Sequence, residues 1–201
     1  MSSELRALRD LTHVRAGHPF RGTVPVIDDG NAHVIQMRDL KPDGSIEWQG
    51  LVRSAVLPNR TLDWLRDGDV LFTARGAHNY AVCLSNVPDG VVCSQYFFVL
   101  RCKTDALLPA YLAWHINRAP TQRYLASNAE GTVQLGIRRG VLEAIGIAVP
   151  SLMRQHQIVE LAAAASQEKR CLEALIHNRE KQLDALADAL LSPSHPNRQA
   201  S

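Results

Sequence analysis

The side chains best suited to chemistry in this sequence lie in three polar segments set between apolar runs. Thr73-Ala-Arg75-Gly76-Ala-His78-Asn79-Tyr80 places a cation, an imidazole, an amide and a phenol on a glycine-hinged loop. Ser94-Gln95-Tyr96 adds another amide and phenol, and Gly131-Thr132-Val133-Gln134 followed by Arg138-Arg139 adds a hydroxyl, an amide and two adjacent cations. An arginine fork matches guanine O6 and N7 or a phosphate, and an Asn or Gln amide matches adenine N6 and N7. Arg75, His78, Asn79, Tyr80, Gln95, Tyr96, Thr132, Gln134, Arg138 and Arg139 are therefore candidate DNA-contacting residues, expected on one polar face. Each has an ordinary alternative: Arg75 and Arg138 as solvated surface cations, Tyr96 as a core aromatic.

Catalytic signatures are thin. The chain has no phosphate-cradling Gly-rich loop, no His-x-x-x-His pair and no Gly-x-Ser-x-Gly elbow. Asp28-Asp29 and Asp67-x-Asp69 are carboxylate pairs that would suit Mg²⁺, but each sits beside glycine, where turn and capping chemistry accounts for it. His115 lies on an apolar helical stretch and reads as a core or interface residue rather than a base or ligand. No metal ligands, catalytic residues or bound cofactor are expected. The chain reads as a reader of DNA rather than an enzyme.

Bulk properties set wide bounds. Two hundred and one residues, 46% of them apolar, suit one medium-sized domain and an extension. The formal net charge of +2 argues neither for nor against nucleic acid. Residues 1–150 hold 16 basic against 14 acidic residues, an excess that matters only where it is localised. The 18 arginines against four lysines fit phosphate and guanine recognition, although a GC-rich coding sequence explains the ratio equally and also accounts for the alanine content. Cys83, Cys93, Cys102 and Cys171 lack metal-ligand spacing and read as free thiols in a reducing compartment. The N-terminus lacks a signal-peptide pattern and no apolar run reaches membrane-spanning length, so a cytoplasmic protein without membrane contact is expected.

Stepping along the chain, the elements that must position these residues follow from pattern. Glu4 to Leu11 suggests a short amphipathic helix and Ala32 to Arg38 a strand. Asp69 to Thr73 and Tyr80 to Leu84 are apolar strands around the Arg75 loop, and Val91 to Leu100 reads as one long central strand. Pro109 and Pro120 sit at first-turn positions of two helices. Val141 to Val149 reads as extended, and Pro150-Ser151 opens a helix that runs to Leu191. That helix would be roughly 60 Å long. Ile158, Ala165, Leu172, Arg179 and Leu186 form one row and Ala162, Lys169, Ile176, Leu183 and Leu190 the other, with the alternating steps of a coiled coil. A stripe of that length calls for a partner helix. The expected fold is mixed α+β: a single globular domain over 1–150, with a mixed sheet and short helices, a coiled-coil helix over 151–191, and a disordered tail over 192–201.

Taken in order, these segments resemble half of a type I restriction-modification specificity subunit. The Gly17-to-Gly22 loop precedes Val34-Ile-Gln-Met-Arg-Asp39. Leu65-x-x-Gly68-Asp69-Val-Leu-Phe-Thr-Ala-Arg75-Gly76 follows, then Ser94 to Arg101, Pro109-x-Tyr-Leu112 and Ala129-x-Gly131-Thr132. The most specific run is Leu142-x-x-Ile145-x-Ile147-x-Val-Pro150-Ser-Leu152-x-x-Gln155-x-x-Ile158-Val159, which joins strand, proline and helix. The resemblance covers nearly all of residues 1–191. It implies a target recognition domain reading half of a bipartite DNA site, and a helix that acts as spacer and dock. The implied partners are double-stranded DNA, modification subunits that methylate adenine N6 using their own S-adenosylmethionine, and a restriction/translocase subunit where one accompanies them. Family members usually carry two recognition domains and two spacer helices, whereas this chain has one of each.

An unpaired heptad helix would pair with its copy, antiparallel, in a closed two-fold dimer. The expected partner face comprises Ile158, Ala162, Ala165, Leu172, Ile176, Leu183, Leu186 and Leu190. Identical readers related by a two-fold would see inverted half-sites, an interrupted palindrome. Lys169 and Arg179 would either favour one register by facing Glu173 or Asp184 or simply snorkel at the edge. Two rival readings remain at this point: a metal-dependent nuclease using Asp28, Asp67 and Asp69, and a coiled-coil adaptor that never touches DNA.

Overall fold

A computed structural model of the chain describes residues 5–41, 44–56, 64–76, 78–131 and 135–191. The chain divides into one compact unit ending at Val159 and a second beginning at Glu160.

The first unit is built on a four-stranded antiparallel sheet. Its order is β2 (Thr12–Ala16), β8 (Phe97–Cys102), β5 (Val70–Thr73) and β6 (Ala81–Cys83). Side chains alternate across a strand, so an apolar run without polar interruption must bury both faces. Val70, Phe72 and Leu100 enter one core with α2 (Pro109–Asn117) and α3 (Ala119–Ser127), through Leu112, Ile116 and Leu125. Leu71, Phe97 and Val99 point the other way, into a second core with Ile35, Val91 and Cys93. Those last three belong to a three-stranded sheet, β4 (Val52–Ser54), β3 (Ala32–Ile35) and β7 (Val91–Cys93), in which β3 and β7 run parallel. Its far face is closed by a smaller cluster around Phe20, Ala32, Val34 and Val92. A third ladder pairs β1 (Leu5–Ala7) with β9 (Gly146–Ala148), joining the two ends of the unit's sequence.

Four segments differ from the sequence expectation. Val91 to Leu100 is not one strand: Ser94–Tyr96 is a turn that passes the chain from the three-stranded to the four-stranded sheet. Glu4 to Leu11 is not one helix. Leu5–Ala7 pairs with β9, leaving a single helical turn, α1 (Leu8–Leu11), whose Leu8 and Leu11 fill the first core. Val141 to Val149 is only partly extended, because α4 (Arg139–Glu143) buries Leu142 before β9 begins. Met37–Asp39, expected to continue β3, forms a 3-10 turn in which Asp39 accepts the Gln36 amide at 2.8 Å.

The long helix α5 runs from Leu152 to Leu191. Its first turn is tied to the first unit by Gln155, whose side chain is fully buried. Gln155 Oε1 accepts the Leu108 amide at 2.8 Å, and Nε2 donates to the carbonyls of Ala106 at 2.8 Å and Pro150 at 2.9 Å. Ile158 and Val159 pack against the first core. Among the described residues, no helix is long and apolar enough to cross a membrane.

One ion pair is buried. Asp69 is wholly inaccessible and grips Arg101 through two bonds of 2.7 Å, while its Oδ2 also accepts the Arg66 amide at 3.1 Å. Asp67, beside it, accepts the Val87 amide at 2.8 Å. Replacing Asp69 with Ala removes both of its bonds to the part-buried Arg101 guanidinium, which keeps its bond to the Trp64 carbonyl. The variant should lose about 3 kcal/mol of stability in urea denaturation. A loss below about 1 kcal/mol, the size of an exposed pair, would show that the bridge does not hold this corner of the sheet.

Candidate nucleic-acid interface

Arg75 follows directly on β5, at a point where three segments meet. The Ala74 amide donates to the Tyr96 carbonyl at 2.8 Å, and the Ala74 carbonyl accepts the Ile137 amide at 2.8 Å. Arg75 itself forms an antiparallel bridge with Gly136, which is bridged in turn to Glu130. The Arg75 loop, the Ser94–Tyr96 turn and the 130–138 segment are therefore held side by side by backbone bonds, although they are far apart in sequence.

Side chains from these segments surround a cavity of about 510 Å³. Ala16, Ala74, Phe98 and Ile137 give it an apolar floor, and Arg75, Gln95, Glu130 and Arg138 give it a polar rim. The Arg75 guanidinium lies over the Tyr96 ring, 5.9 Å from its centroid, within cation–π range. Arg138 is ion-paired with Glu130. Glu130 was missed in the sequence reading, since only the pairing of Glu130 with Gly136 brings its carboxylate to Arg138.

The remaining candidates go elsewhere. Asn79 donates its amide to the Thr73 carbonyl at 2.7 Å. His78 is exposed, and its carbonyl accepts the Thr73 hydroxyl at 2.9 Å. Tyr80 is half-buried against the second core, its hydroxyl 3.4 Å from the Leu40 carbonyl, and burial raises its pKa. It is a packing residue before it is a contact. Thr73, fully buried, organises all three: its Oγ1 accepts the Tyr80 amide at 2.8 Å while donating to His78. Arg139 opens α4 and is bound at 2.7 Å to Glu143 four residues on, so it does not join the cavity rim. Thr132 and Gln134 lie outside the described residues.

His115, Cys83, Cys93 and Cys102 lie away from this cavity, wholly or partly buried. His115 is 6% exposed, its Nε2 accepting the Ala148 amide at 3.4 Å, and burial followed by the nearby Arg118 charge lowers its pKa. Burial pushes the thiols of Cys83 and Cys102 up to about 11 and that of Cys93 to about 12. At pH 8 each is roughly one part in a thousand ionised, or less. Among the described residues no three metal-ligating side chains cluster.

On α5, Leu172, Ile176, Leu183, Leu186 and Leu190 are between 53% and 86% exposed in the single chain. Ala165 is exposed and Ala162 half-exposed. Ile158 differs from the rest of the expected seam, because part of its surface is already spent on the first core. Lys169 pairs along its own helix with Glu173 at 3.6 Å, and Arg179 donates to Gln182 at 3.2 Å. Leu161 and Leu175, also exposed, flank the seam on one side.

No protein-family model matches the sequence, and no curated protein matches it. Solved structures do match. The type I restriction-modification system S subunit from M. genitalium superposes with a TM-score of 0.54 at 16% identity, over 94% of this chain and 46% of its own. The HsdS subunit from Thermoanaerobacter tengcongensis gives 0.58 at 18% identity, over 94% and 43%. A structure described as the basis of complex assembly and conformational transition of the type I R-M system gives 0.66 at 18% identity, over 94% and 44%.

The thiols offer a direct check of this arrangement. At pH 8 an aromatic disulfide reagent should modify Cys171, the exposed thiol on α5, and leave Cys83, Cys93 and Cys102 untouched until denaturant is added. Rapid reaction of two or more thiols in the native protein would contradict the burial described. Across sheets, short helices and the long helix α5, the chain has the fold of type I restriction-modification S subunits and spans less than half the length of each of these three.

Proposed function

We propose that this chain is the DNA sequence-recognition subunit of a type I restriction-modification system, working as a pair of half-length specificity subunits. Residues 1–150 act as the target recognition domain and 151–191 as the spacer and pairing helix. The observation that carries the reading is the fold shared over 94% of the chain, in which a unit ending at Val159 is followed by the rest of one long helix.

The leucine-lined face of α5 supports pairing. Five large aliphatic side chains at heptad positions are more than half exposed in the single chain, which is costly in water at about 25 cal/mol per Å² of apolar surface. A second copy laid antiparallel covers them and closes the assembly. Two identical recognition units then read inverted half-sites, an interrupted palindrome. The paired helices also dock modification subunits, which bring S-adenosylmethionine and carry out adenine N6 methylation in the cytoplasm. The chain itself supplies binding and orientation.

Two of the three carboxylates of the nuclease alternative have structural partners, Asp69 with Arg101 and Asp67 with the Val87 amide, which weighs against it. The adaptor alternative is separated by electrostatics. Association with duplex DNA should weaken with salt, log K falling by about 0.9 per log unit of salt for each phosphate neutralised. A flat slope, or no binding even with the methyltransferase present, favours the adaptor.

Light scattering should give twice the 22.2 kDa chain mass. Leu172→Asp with Leu183→Asp should give the monomer with unchanged secondary structure. A wild-type chain that stays monomeric at every concentration would overturn the pairing.

A further inference from the structure

The geometry points to Arg75 as a guanine-reading residue, with Tyr96 as the platform that sets its orientation. This rests on the DNA-recognition reading above and goes further by naming the base at one position of the half-site.

The first support is availability. Of the three arginines expected at this face, Arg138 is occupied by Glu130 and Arg139 by Glu143. Arg75 makes no ion pair among the described residues, so its five N–H donors are not claimed by a carboxylate. It is exposed and sits on the rim of the 510 Å³ cavity.

The second support is pre-organisation. Residues on both sides of Arg75 are pinned: Ala74 by Tyr96 and Ile137, and Gly76 by the Leu135 carbonyl at 3.3 Å. The Tyr96 ring then restrains the far end of the side chain. A flexible arginine loses rotamer freedom on binding, and one held at both ends loses less.

The third support is position. The guanidinium carbon stands 5.9 Å from the Tyr96 ring centroid, on an exposed side chain at the edge of the cavity. Its N–H donors are the groups that fit guanine O6 and N7 bidentately in the major groove. Gln95, one residue before Tyr96 and on the same rim, lies beside it as the adjacent amide.

The test is selection of bound sequences from a randomised duplex pool, using the purified chain assembled with the modification subunits of its system. The wild type should yield a motif with a conserved guanine. Arg75→Ala, with its circular dichroism and melting curve unchanged, should lose about tenfold or more of the preference at that one position and keep the rest of the motif. Tyr96→Ala should weaken the same preference, while Tyr96→Phe, which retains the ring, should keep it. If Arg75→Ala weakens all sequences uniformly and lowers the salt slope by about one, Arg75 is a phosphate contact and the inference falls. A variant motif identical to that of the wild type overturns it as well, with the recognition reading intact. Absence of any motif in the wild type removes both.

Discussion

The crossing of the chain between two sheets at Ser94–Tyr96 is the constraint on which the rest depends. Within a few residues, the Cys93 carbonyl accepts the His18 amide, the Ser94 amide donates to Ile35, and the Tyr96 carbonyl accepts Ala74. The three-stranded sheet, the four-stranded sheet and the Arg75 loop are joined there. Space at the crossing is tight enough to dictate a residue type. A Cβ on Gly17 would lie 2.1 Å from the Ser94 carbonyl oxygen, so only glycine permits the approach. The apolar halves of the segment, Val91–Cys93 and Phe97–Cys102, are consumed by the cores. In its polar middle Ser94 is buried, while Gln95 and Tyr96 are only half-buried and Gln95 lines the cavity.

A second constraint acts at the other end of the unit. Gln155 is a polar side chain with no exposure, and its amide satisfies one backbone donor and two backbone acceptors that would otherwise be buried without partners. Buried groups of this kind are costly when unpaired and rigid when fully satisfied. The first turn of α5 therefore starts from a fixed place, beside the loop that leads into α2. Asp69 and Arg101 do comparable work where β5 and β8 run together, with the aspartate also accepting the Arg66 amide. Arg75, by contrast, is exposed and makes no ion pair among the described residues.

Much of this was legible in the sequence because local pattern decides it. The apolar run of Val70–Thr73, the prolines at the starts of α2 and α3, and the heptad of α5 each carry their own signal. The failures share a cause: tertiary pairing overrode local pattern. Leu5–Ala7 looks helical until β9 claims its backbone, and Val91–Leu100 looks like one strand until two sheets divide it. The cavity was partly legible, since Arg75, Gln95 and Arg138 were read from residue type alone. Glu130 and Gly136 were not, because their place follows from a bridge to Arg75 across some sixty residues. Tyr80 shows the opposite case, a polar tip on a side chain whose ring packs against the second core, which residue type alone does not reveal.

The account is tested most directly by a photo-crosslinking residue placed at Gln95 in the assembled complex of this chain, its modification subunits and duplex DNA. Crosslinks to DNA, at one defined position in each half of the site, are the predicted result. Crosslinks confined to protein, or none to DNA under conditions where the complex methylates it, would contradict the claim that this rim faces the double helix.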